Sequence, residues 1–117
     1  MGYMGLGSYG ESDNASDFVS GIIDKIGREC KKELKNTANE FNTSGHINVA
    51  LMAEVLLKNI PIYHESDLYS ALISARAKIQ KDLVEIKAEG QWRGRDMHIK
   101  AYKRMVKSLT KIINNAY

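Results

Sequence analysis

One cysteine and one proline are all that this chain of 117 residues holds of either type. A lone thiol, Cys30, excludes an internal disulfide framework and fits a reducing compartment. The scarcity of proline argues against a loop-rich or disordered chain. No apolar run approaches the roughly 20 residues that a membrane-spanning helix needs, and the first residues carry neither a basic nor a long apolar segment of the kind that opens a secretory signal. The expected location is therefore cytoplasmic, with no membrane partner. Three histidines, His46, His64 and His98, never recur at i+3 or i+4. Helical metal ligation needs that spacing, so no metal site and no cofactor are expected. Paired carboxylates, a Cys/His dyad and a phosphate-binding loop are also missing as recognisable patterns, and enzymatic activity is not expected.

The residues that are present suit a single soluble domain, 44% hydrophobic and 26% charged. Charge is unevenly spread. Residues 1–75 carry six Lys and Arg against ten Asp and Glu, whereas residues 76–117 carry eleven against four, within an overall net charge of +3. A basic C-terminal part attracts anionic partners: nucleic acid, an acidic protein face or the acidic half of another copy.

Hydrophobic spacing predicts an all-α protein, a compact bundle of about four helices (13–117) preceded by a Gly-rich arm (1–12). Gly2, Gly5, Gly7 and Gly10 dilute helix propensity in the arm. Ser12 or Asp13 can cap a first helix in which Phe18, Val19, Ile22, Ile23, Ile26, Cys30, Leu34 and Phe41 share one arc. Cys30 lies mid-arc, so it reads as a core residue. Gly21 and Gly27 each weaken this helix by about 1 kcal/mol relative to alanine. Residues 47–59 are apolar nearly all round, which predicts a central helix ended by Pro61. Ser66 then offers a cap. Leu68, Leu72, Ala75, Ile79, Leu83 and Ile86 follow at heptad spacing, with Gly90 as the stop, a pattern that packs two long helices within one chain or between two copies. Self-association through 68–86 is an expectation on that ground.

The last helix, from about Arg95 to Asn114, carries the most specific feature. Tyr102, Met105, Val106, Leu109, Ile112 and Ile113 gather on one side, and Lys100, Lys103, Arg104, Lys107 and Lys111 fall in a stripe opposite. His98 falls on the apolar side, where a hydrogen-bonded core histidine is expected. Before this helix, Trp92 stands between Gly90 and Gly94 beside Arg93 and Arg95. An aromatic beside two guanidinium groups stacks on a base or anchors a protein contact; alternatively, Trp92 closes one end of the bundle while its arginines remain in water. His64-Glu65-Ser66-Asp67 contains the residue types of a catalytic triad, but adjacent residues cannot align as one, and helix capping by Ser66 accounts for them better. Gly5-Leu6-Gly7-Ser8-Tyr9-Gly10 matches the G-x-G-x-x-G expression, yet too few residues precede it to build the strand that motif requires.

Met4-Gly5-Leu6-Gly7-Ser8-Tyr9 followed by Asp13-Asn14-Ala15-Ser16-Asp17-Phe18 resembles the opening of the DUF4259 family, small bacterial proteins of unknown function. Members begin with aromatic-Gly-x-Gly-x-aromatic and then Asp-x-Ala-x-Asp-aromatic. Met4 stands here in place of the usual tryptophan, and the stretch between Tyr9 and Asp13 is one residue longer. The likeness covers about 15 residues. It implies a compact, mostly helical cytosolic protein of bacterial or phage origin without known catalytic residues, with Asp13 and Asp17 capping the first helix and Phe18 entering the core.

Two classes of function follow. One is a non-enzymatic protein-interaction module, an inhibitor or immunity-like factor with a macromolecular partner, a protein above all. The other is nucleic-acid binding through Lys100, Lys103, Arg104, Lys107 and Lys111, assisted by Arg93 and Arg95. A small-ligand or nucleotide-signal pocket, which leaves no linear motif, is a third reading.

Overall fold

The computed structural model describes residues 13–36 and 44–117. The Gly-rich arm with its G-x-G-x-x-G segment, the first half of the DUF4259-like stretch and Phe41 lie outside them. The described residues form four helices, as the periodicity predicts: α1 (Asp13–Asn36), α2 (Gly45–Leu56), α3 (Asp67–Ala88) and α4 (Arg95–Asn114). No strand occurs among the described residues. Both α2 and α3 touch all three other helices, whereas α1 and α4 flank them without touching each other.

The heptad face of α3 forms the axis of the core. Leu68, Leu72, Ala75 and Ile79 are almost wholly buried, and Val49, Ala53, Leu57, Cys30, Met105 and Leu109 close around them from the other elements. The packing expected of that pattern is thus satisfied inside one chain. Ser66 starts the helix as expected: its Oγ accepts from the Tyr69 amide at 3.1 Å and donates to the Tyr63 carbonyl at 2.7 Å.

Four expectations need correction. Phe18 and Ile22 do not enter the core and are 70% and 42% exposed. The reason is length: α1 spans about 36 Å and α2 about 18 Å, while α3 begins only beside Gly27 and Lys31, which meet Leu68 and Asp67. The first turns of α1 therefore run past their neighbours. Second, α2 is not enclosed. His46, Val49, Ala50 and Ala53 point inward, but Leu51, Val55 and Leu56 lie on the outer side, and the helix ends at Leu56, well before Pro61. Third, Gly90 is not a left-handed stop. The chain leaves α3 through an extended Glu89, and the one positive-φ glycine among the described residues is Gly94, at the N-cap of α4. Fourth, His98 is exposed rather than part of the core.

Candidate binding surfaces

Helix α4 is two-sided. Met105, Leu109 and Ile113 are buried, and Lys100, Lys103, Lys107 and Lys111 are exposed on the opposite side. These four ammonium groups extend over about 16 Å of helix at 1.5 Å per residue. None of them has a carboxylate partner among the described residues.

The arginines expected to join them behave differently. The Arg104 guanidinium donates from Nε and Nη2 to the Glu54 carboxylate on α2, at 3.1 and 3.4 Å. The same carboxylate accepts from Ser108 Oγ at 3.1 Å. Its charge is therefore already matched. Arg95 turns back over the end of α3, with Nε to the Ile86 carbonyl at 3.3 Å and Nη2 to the Lys87 carbonyl at 3.1 Å. A helix C-terminus leaves carbonyls without intrahelical partners, and Arg95 supplies the stop expected of Gly90. Of these arginines, Arg93 alone is exposed with no partner among the described residues.

Trp92 is committed within the α3–α4 connection. Its indole N–H donates to Glu89 Oε1 at 2.9 Å, and its ring meets His98 edge-on with centroids 5.2 Å apart. His98 Nδ1 lies 2.9 Å from the Gly94 carbonyl and its ring also faces Tyr102. The ring is held within the connection by these contacts and is still 39% exposed.

A second surface is apolar and lies outside the residues expected to bind. A groove of about 390 Å³ separates α1 from α2, floored by Ile26, Cys30, Val49 and Met52 and rimmed by Lys25, Glu29 and Asn48. One and two turns before Ile26 come Ile22 and Phe18, and one turn beyond Met52 come Val55 and Leu56. Phe18 and Val55 are 70% and 77% exposed. Burial, aided by the carboxylates of Glu29 and Glu33, pushes the Cys30 thiol up to about 11. The thiol is therefore protonated at neutral pH and packs as a small apolar group, as expected from its mid-arc position.

Where α2, α3 and α4 meet, His46 is buried and its Nε2 lies 2.6 Å from Asp82 Oδ2. Burial and the Asp82 charge raise the Tyr102 phenol above its ordinary range. No group of three or more His, Cys, Asp or Glu is placed to hold a metal ion among the described residues. No helix among them is long and apolar enough to cross a membrane. The chain matches no protein-family model, no curated protein and no solved structure.

Proposed function

We propose that this protein is a non-enzymatic, cytoplasmic protein-interaction module that docks a partner across the exposed apolar face of α1 and α2. The carrying observation is the run of large apolar side chains left in solvent there: Phe18, Ile22, Leu51, Val55 and Leu56. Scattered single apolar residues are normal on a surface, but several flanking one groove mark an interaction site. Lys25 and Glu29 on its rim provide charges of both signs to orient a partner. An inhibitor or immunity-like role is the specific form of this reading, in which a small domain acts by stoichiometric occlusion. The test is affinity isolation of the wild type and a Phe18→Ser/Val55→Ser variant from the source cell. The reading requires a stoichiometric protein partner that the variant loses while its helical circular dichroism is unchanged. Equal retention by both proteins, or no stoichiometric partner, refutes it.

The cationic face of α4 supports a second reading, nucleic-acid binding. Lys100, Lys103, Lys107 and Lys111 are in line and unpaired, and their 16 Å span covers about five nucleotide steps of 3.4 Å. Four phosphate contacts give a slope of log affinity on log salt of about −3 to −4. Mobility-shift titrations at two salt concentrations measure it, and binding unchanged in a Lys103→Glu/Lys107→Glu variant removes this reading.

A further inference from the structure

Two lysines of the α4 stripe share a cleft with a third, Lys58, that lies outside the stripe. Lys58 follows α2, Lys107 and Lys111 stand one turn apart on α4, and all three line a pocket of about 430 Å³ with Asn59, Asn115 and Ile112. Like charges four residues apart on a helix repel by a few tenths of a kcal/mol, so the arrangement gains from a counter-charge. The pocket's own carboxylate does not supply one. Glu54 is held by Arg104 and Ser108, and its side chain is only 17% exposed.

The cleft also lies at two helix ends, because α2 closes at Leu57 and α4 at Asn115. Each helix C-terminus presents about half a negative charge, and lysines often stand there for that reason alone. Two such ends amount to about one unit, against three ammonium groups. About two positive charges remain unmatched. The Asn59 and Asn115 side chains add amide donors, and Ile112 adds an apolar wall. The volume lies within the range of small-molecule sites, roughly 300 to 1,000 Å³.

We infer that the α2–α4 cleft binds a small phosphate-bearing ligand of about two to three negative charges. Lys58, Lys107 and Lys111 hold the phosphate, and Ile112 packs against the uncharged remainder. The inference stands apart from the α1–α2 docking face. It also separates from nucleic-acid binding, because Lys100 and Lys103 belong to the α4 stripe but not to the cleft.

The experiment is calorimetric titration with pyrophosphate and with adenosine diphosphate, on the wild type, Lys58→Gln/Lys111→Gln and Lys100→Gln/Lys103→Gln. Both double variants remove two exposed positive charges, which equalises the change in overall field. Saturable binding is expected in the wild type, about tenfold or more weaker in Lys58→Gln/Lys111→Gln and within about twofold of wild type in Lys100→Gln/Lys103→Gln. Tighter binding of adenosine diphosphate than pyrophosphate identifies the apolar wall as part of the site, and equal affinity restricts the site to the phosphate. Backbone amide shifts on titration should centre on Asn59, Ser108 and Asn115. Equal weakening in the two variants means diffuse attraction by the basic face and overturns the inference, as does the lack of saturable binding at millimolar ligand.

Discussion

Gly21 and Gly27 lie on the same helix, six residues apart, and the same substitution should move stability in opposite directions at the two. An alanine Cβ at Gly21 meets nothing within 4 Å. Only helix propensity then changes, a gain of about 1 kcal/mol. At Gly27 the same Cβ falls 2.8 Å from the Leu68 amide nitrogen and 3.2 Å from Asp67 Cβ. The nearest obstacle is backbone, so no side-chain rotation relieves the clash and α1 must lift from the first turn of α3. That movement loosens the seat of Leu68, 1% exposed, and the Lys31–Asp67 contact at 3.0 Å one turn further on. Overpacking of a close contact costs about 1 to 3 kcal/mol. Against about 1 kcal/mol of propensity, the net is a loss centred near 1 kcal/mol. The two alanine variants should therefore differ by about 2 kcal/mol, or about 8 °C in Tm for a domain of this size. Urea titration and thermal melts followed by circular dichroism measure both. Gly27→Ala as stable as Gly21→Ala would refute the close approach of α1 to α3.

Three further outcomes can be checked on the same footing. His46→Ala should cost about 2 kcal/mol in urea titrations at neutral pH, because it removes a buried hydrogen bond to the partly exposed Asp82 carboxylate and leaves a void; a loss below half of that would contradict the packing of this pair. The Cys30 thiol is raised from 9.0 to about 11, so the folded chain holds a proton that the unfolded chain releases first. Its contribution is complete below pH 9 and falls away as pH rises to 11, by roughly 2 to 3 kcal/mol, a loss absent from Cys30→Ala; overlapping alkaline profiles of the two proteins would refute it. Arg95→Gln should lower stability by about 1 kcal/mol by freeing the last carbonyls of α3, while Lys107→Gln should leave stability within about 0.5 kcal/mol. The reverse order in thermal melts would return Arg95 to the set of free cations.

Much of the architecture is legible from periodicity. The heptad spacing of Leu68 to Ile79 and the two-sidedness of α4 are local patterns, and burial follows them directly. The site residues divide otherwise. Lys100, Lys103, Lys107 and Lys111 are exposed as their wheel positions imply. Arg104 and Arg95 are not free, because Glu54 and the end of α3 reach them from other parts of the chain. Nothing near Lys58 in the sequence links it to Lys107. The one local hint at the apolar face was the all-apolar surface of residues 47–59, which reads equally well as a central helix.

The amino-acid order alone determined that the chain forms helices, where Ser66 starts one of them, that Cys30 points inward and that α4 separates oil from charge. Each of these depends on neighbours within one or two turns. Tertiary structure decided that α3 takes the centre, that Phe18 and Val55 remain in water, that Gly27 is a contact while Gly21 is open, and that Lys58 joins Lys107 and Lys111. These outcomes depend on relative helix lengths and crossing points, which are set when the elements pack together and have no signature within any single helix.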